Sequence, residues 1–218
     1  MFPLPVHIYL EMAAFVASCL FFYSLKSQSL QEFVFFSAFI VLVEMTGRFL
    51  FKSLHEPNGW LYNLSVPIEY LFYGWIYFKN YRSASFKSLA GWFVVLFAAF
   101  SIINNCIQGL YEFHTNTLQI GSFFMIVLSL MFYVDIYKDS KPIILWRLPM
   151  FWIATGVLLF NAGEFSYDML SEYLLNRGFD NQAAALFRSI NNKLLLVLYG
   201  CLIVGFICTK ITATSRKE

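Results

Sequence analysis

The sequence predicts an all-α fold, that of a polytopic membrane protein with seven transmembrane helices. Three observations carry this reading. Hydrophobic residues make up 59% of the 218 positions and charged residues only 13%, roughly half the charged share of an ordinary soluble domain. The 26 phenylalanines bring more apolar surface than a globule of this size can hide from water, so part of its solvent must be lipid. The apolar residues also fall into seven runs, each close to the roughly 20 residues a helix needs to cross a hydrocarbon core.

The runs cover approximately residues 5–25, 30–51, 60–78, 89–108, 118–137, 145–162 and 193–209. The first ends its "VASC" at Cys19, like a lipoprotein cleavage site. No Lys or Arg precedes it, however, and Glu11 interrupts its apolar core, so it reads as an uncleaved helix. The third opens with "NGWLYNLSVPIEYLFYGW". Trp60 and Tyr62 there suit a membrane interface, and Pro67 predicts a kink that frees the Asn63 carbonyl. Connections are short except between the sixth and seventh runs. That segment, "GEFSYDMLSEYLLNRGFDNQAAALFRSINN", is expected to begin as an extension of the sixth helix and to hold a separate short amphipathic helix near 182–189. No Gly/Ser-rich or Pro-rich linker divides the chain, so residues 1–218 form one domain.

An odd number of spans puts the termini on opposite sides. Lys26, Lys79, Arg82, Lys87, Lys138, Lys141, Arg147, Lys210, Arg216 and Lys217 then share one side, against Arg48, Lys52, Arg177, Arg188 and Lys193 on the other. The positive-inside rule places the first group in the cytoplasm, the N-terminus outside and the C-terminus inside. The expected location is the inner membrane, with the lipid bilayer as the chief partner.

Polar residues recur at helical spacing, which puts them on shared faces. Glu11 follows His7 by four residues, and Arg48 follows Glu44 by the same interval. Tyr62, Ser65, Glu69 and Tyr73 align, as do Ser101, Asn104, Asn105, Gln108 and Glu112, and then Asn161, Glu164 and Asp168. In the orientation above nearly all of them lie in the outer half of the bilayer. Glu69 is the deepest, about 14 Å below Trp60 at 1.5 Å per residue. An ionisable group at mid-bilayer costs roughly 2.5–3.5 kcal/mol on insertion scales, so such groups turn to the bundle interior and to one another. An outward-opening pocket is expected, lined by Glu11, Glu44, Arg48, Asn63, Glu69, Asn104, Asn105, Gln108, Asn161 and Glu164. Carboxylates outnumber cations there, which calls for protons or a bound cation. The alternative is that the same groups only join helices to one another, at about 0.6–2 kcal/mol per interhelical bond.

Several activities lack their residues. The net charge of +2, without a basic run or base-stacking motif, gives no footprint for nucleic acid. The four cysteines sit in apolar runs with no C-x-x-C spacing, so neither zinc nor a disulfide framework is expected. His7 with Glu11, and Glu112 with His114, have metal-ligand chemistry at the outer mouth, but no H-x-x-x-H or H-E-x-x-H accompanies them, and no cofactor is assigned. An intramembrane serine hydrolase needs a deep histidine and an aspartyl protease two buried aspartates; neither pattern is present. Lys193 lies at a helix mouth, where it does not suit retinal. A three-plus-one-plus-three sugar transporter shares the helix count, and Glu44 and Glu164 occupy equivalent outer ends of its repeats, but the third and seventh runs do not align.

"NGWLYNLSVPIEYLFY" resembles a segment of small seven-helix membrane proteins of Bacteroidota. The similarity is strongest over Glu44–Tyr73 and fainter around Ser189–Asn192. The resemblance implies the fold and brings no established activity. The expected function is ligand binding from the outer side, as a receptor, a sensor or an accessory membrane subunit. Solute or proton-coupled transport is the alternative, and metal-dependent hydrolysis a distant third. The basic segments "KNYRSASFK" and "YKDSKP" are the expected contact for anionic lipid or for a cytoplasmic or membrane protein partner.

Overall fold

The computed structural model describes residues 5–109, 111, 114–138, 144–178 and 180–214, with side chains described except at 171–172, 174–176, 180–188 and 212–214. Eight α-helices account for most of it: α1 (Val6–Leu20), α2 (Phe22–Ser27), α3 (Glu32–Phe49), α4 (Gly59–Asn80), α5 (Ala84–Gln108), α6 (Thr115–Tyr137), α7 (Pro149–Asn176) and α8 (Asp180–Thr214). No strand occurs among the described residues. Each of the seven apolar runs is helical. The first is interrupted at Phe21, which separates α1 from α2. The second overruns its expected end as a π-helical turn, Leu50–Leu54, that stops at His55 in the left-handed region, φ 56°.

The segment before the seventh run departs from expectation. The sixth helix does extend, to Asn176, but residues 182–189 are not a separate short helix. They are the first turns of α8, which runs unbroken for 35 residues. The reason lies in the sequence: Gly178, at φ 78°, ends the approach from α7 as a helix-terminating glycine does, and no proline follows before Thr214. At 1.5 Å per residue α8 is about 52 Å long, well beyond a hydrocarbon core of about 30 Å.

Among the described residues four segments are long and apolar enough to cross a membrane: Glu32–Leu54, Ala84–Gln108, Thr115–Tyr137 and Ser189–Ile211. The surface agrees. Phe35, Leu42, Trp92, Leu96, Ile103 and Leu130 are exposed, whereas Glu11, Asn63, Ser65, Asn104, Ser122 and Asn161 are buried. Apolar groups outside and polar groups within are the arrangement of a membrane-embedded protein.

The packing order places the site. α1 packs on α3, α3 on α4, α4 on α6, α6 on α7, α7 on α8 and α8 back on α1. Six helices thus close a ring, and α5 lies outside it against α4 and α6. Small residues let the ring close. A methyl group at Gly156 of α7 would stand 2.8 Å from the Cys201 Cβ and 3.2 Å from the Leu198 carbonyl of α8, so the two backbones meet there as small-residue interfaces allow. One half of the ring is filled by aromatic rings. Phe36 stacks on Phe72 at 3.9 Å, and Phe33 meets Phe72 at 5.0 Å and Phe206 at 5.4 Å. Lys79 pairs with Glu32 at 2.5 Å at this end.

Two heptad-spaced Tyr–Ser pairs register α4 on α6: Tyr70 with Ser122 at 2.8 Å and Tyr77 with Ser129 at 2.6 Å. Below them Asp135 of α6 holds the start of α5. Its carboxylate accepts from the Arg82 N–H at 2.7 Å and the Ser83 N–H at 3.1 Å, the work of a helix cap delivered from another helix. Asp135 is buried, so Asp135→Ala strands two donors. The expected loss is about 1–3 kcal/mol, read as a lowered melting midpoint in detergent, with Asp135→Asn losing less.

Candidate functional site

Inside the ring, in the half opposite the aromatic plug, lies a cavity of about 890 Å³. That volume falls in the upper part of the range of small-molecule sites, roughly 300–1,000 Å³. All six ring helices supply walls: His7 and Glu11 from α1, Glu44 from α3, Tyr62, Glu69, Tyr70 and Tyr73 from α4, Gln119 from α6, Asn161, Glu164, Tyr167 and Asp168 from α7, and Asn191 and Tyr199 from α8.

Helical repeat explains the placement. Tyr62, Glu69 and Tyr73 stand seven and four residues apart on α4, and Asn161, Glu164 and Asp168 three and four apart on α7, so each set keeps one face toward the cavity. The carboxylates form a row. Glu44 lies within electrostatic reach of His7, Glu11 and Glu69, Glu69 also reaches Glu164, and Glu164 reaches Asp168. Tyr62 donates its hydroxyl to Glu44 at 3.3 Å. Ser122 donates to Glu164 at 3.1 Å, with the Tyr70 hydroxyl 2.8 Å behind Ser122. At the mouth His7 Nδ1 meets the Asn192 side-chain oxygen at 3.0 Å, which ties α1 to α8.

Of the ten residues expected to line a pocket, Glu11, Glu44, Glu69, Asn161 and Glu164 do so; Arg48, Asn63, Asn104, Asn105 and Gln108 are not among its walls. The ring accounts for the three on α5, which stands outside it. Asn104 turns to α6 instead and donates to Thr117 at 3.0 Å. Asn63 accepts the His114 N–H at 3.3 Å and so fixes the entry to α6. The His114 ring contacts the Gly109 carbonyl at 2.9 Å through Nε2. Of the residues with metal-ligand chemistry, His7 and Glu11 share the cavity, His114 is buried elsewhere, and Glu112 lies outside the described residues. Among the described residues no three His, Cys, Asp or Glu side chains are grouped to hold a metal ion.

The walls also hold residues outside the ten expected to line the pocket. Asp168 continues the Glu164 face, a signal the four-residue spacing already contained. Tyr70, Tyr167 and Tyr199 carried none, because a tyrosine in an apolar run counts as apolar until its neighbours are known. Fold and site together define a membrane-embedded, all-helical protein with a carboxylate- and tyrosine-lined cavity. Comparison with protein-family models, with curated proteins and with solved structures finds no match to this chain.

Proposed function

We propose that the chain is a multi-pass inner-membrane protein of seven spans, α1 with α2 forming the first. Its N-terminus is outside and its C-terminus inside, and its cavity binds a small ligand that enters from the outer side. Acting as a receptor, a sensor or an accessory membrane subunit suits it better than catalysis. The observation that carries this is the cavity of about 890 Å³, polar at the end where α1, α4 and α6 begin and backed by the Phe33, Phe36, Phe72 and Phe206 rings. Interhelical bonding alone accounts for paired polar groups, not for a volume of this size surrounded by carboxylates. The distribution of Lys and Arg supports the orientation. The "NGWLYNLSVPIEYLFY" segment supports a place among the small seven-helix proteins of Bacteroidota. Two of the inner-side cations lie over rings of the protein itself, Lys87 over Phe78 and Lys138 over Phe86, at 5.6 and 5.1 Å.

Thiol labelling tests this reading. With the native cysteines replaced, Glu69→Cys and Gln119→Cys react with a charged, membrane-impermeant thiol reagent applied from the periplasmic side, and Leu96→Cys on the lipid face and Asn104→Cys do not. Unreactive Glu69→Cys and Gln119→Cys in a folded protein, or reaction from the cytoplasmic side only, overturn it. The continuous row of carboxylates favours proton-coupled transport as a second reading. Transport predicts flux that Glu69→Gln abolishes, and binding without flux decides against it.

A further inference from the structure

We infer that the ligand of this cavity is an organic cation with two or more ammonium groups, an extended di- or polyamine; this rests on the outward-facing pocket proposed above. The sign of the walls comes first. Glu11, Glu44, Glu69, Glu164 and Asp168 all line the cavity, and no Lys or Arg is among its described lining residues. The beginning of α6, at Thr115 and Asn116, also borders it. The partial positive charge there, about half an elementary charge, is too small to reverse the sign. The walls therefore favour a cationic ligand over an anionic one.

The second observation is independent of the count of charges. Glu11 is 2% exposed and Asn161 4% exposed, and both border the cavity. Among the described residues the Glu11 Oε2 and the Asn161 Oδ1 have no hydrogen-bond partner, although the Asn161 amide donates to the Val157 carbonyl at 2.7 Å. A buried acceptor without a donor costs about 1–3 kcal/mol. Two of them facing one cavity call for a ligand that brings N–H groups. Tyr73 and Tyr199 also line the cavity, and aromatic rings can hold ammonium groups by cation–π attraction.

Size and spread narrow the class. A cavity of about 890 Å³ is far larger than a bare metal ion requires, and no metal-holding group is present among the described residues. The carboxylates come from several helices. Glu11, Glu44 and Glu69 belong to α1, α3 and α4, and Glu164 and Asp168 to α7. An ammonium group at each wall offsets part of the charge of each set, and Val157, Phe160 and Leu198 give the cavity apolar wall for the linker.

A matched five-carbon series tests this on the full chain in lipid nanodiscs: 1,5-diaminopentane, 1-aminopentane, 1,5-pentanediol and glutarate, titrated calorimetrically. The diamine is expected to bind saturably, at least tenfold more tightly than the monoamine, and the diol and glutarate not at all. Glu69→Gln and Glu164→Gln each weaken the diamine tenfold or more, and Glu32→Gln, in the ion pair at the far end, leaves it unchanged. If either Gln variant fails to fold, the other carries the comparison. Binding of glutarate, equal binding of diamine and diol, equal binding of diamine and monoamine, or no binding of any probe overturns the inference. The labelling experiment separates the two failures. A reactive Glu69→Cys with no amine binding removes the polyamine and keeps the pocket, and an unreactive one removes both.

Discussion

Neutralising two carboxylates at once, in Glu69→Gln/Glu164→Gln, is expected to raise the melting midpoint of the ligand-free protein while abolishing amine binding. Glu69 lies within electrostatic reach of both Glu44 and Glu164, and no Lys or Arg is among the described lining residues. Taking a charge out of water is costly and like charges that face one another add repulsion, so removing two of them is expected to stabilise the fold. Glutamine keeps the side-chain oxygen that Ser122 donates to at 3.1 Å in the case of Glu164, so geometry is preserved while the charge goes. For a chain of this length each kcal/mol corresponds to roughly 2–4 °C. Opposite signs for stability and binding mark a site kept for function at the expense of the fold. If the carboxylates only join helices, both substitutions lower the midpoint, and thermal denaturation followed by tryptophan fluorescence in nanodiscs decides between the two.

The part of this site that was legible in the sequence is the part set by helical repeat. His7 with Glu11, Tyr62 with Glu69 and Tyr73, and Asn161 with Glu164 and Asp168 announce their faces through spacing alone. Spacing says which residues share a face and nothing about which helix that face meets. Asn104 and Asn105 satisfy the same rule as Glu164, yet α5 stands outside the ring and Asn104 spends its amide on Thr117. Ring membership is decided by packing between elements far apart in the chain, and the closing contact of α8 on α1 joins its two ends. The pairing of Tyr70 and Tyr77 with Ser122 and Ser129 did leave a trace, since both pairs are seven residues apart.

Helix positions were more legible than their breaks. An apolar run bounded by polar residues fixes a helix to within a few residues, as α4 at Gly59–Asn80 and α6 at Thr115–Tyr137 show. The interruption at Phe21 has no composition signal, because neither glycine nor proline marks it, whereas the π turn Leu50–Leu54 stops three residues before Pro57. For α8 the reverse error arose. A separate helix near 182–189 would need a break before residue 193, and polar residues such as Asn191 and Asn192 do not end a helix where no proline is present.

The close approach of α6 to α4 supplies a second large effect, at Gly121. A Cβ added there would lie 2.4 Å from the Tyr70 Cε2, 2.5 Å from its Cδ2 and 2.8 Å from its Cζ. The ring is held on two sides: Phe97 meets it edge-on at 5.5 Å, both rings are buried, and the hydroxyl is held by Ser122 at 2.8 Å. Alanine in place of glycine improves helix propensity by about 1 kcal/mol, and overpacking a filled interior costs about 1–3 kcal/mol. Gly121→Ala should therefore be neutral to mildly destabilising, and Gly121→Leu, which adds three further carbons to the same clash, should lower the melting midpoint by many degrees. Pairing the leucine with Tyr70→Ala, which removes the obstructing ring, should recover part of the loss, with a coupling of about 0.5–3 kcal/mol in a double-mutant cycle; strictly additive losses would show that Tyr70 is not what Gly121 makes room for. The same displacement reaches the cavity, because Tyr70 and Ser122 are the groups that hold Glu164 on its wall. Gly121→Leu should thus weaken the binding of 1,5-diaminopentane although Gly121 itself is not among the lining residues.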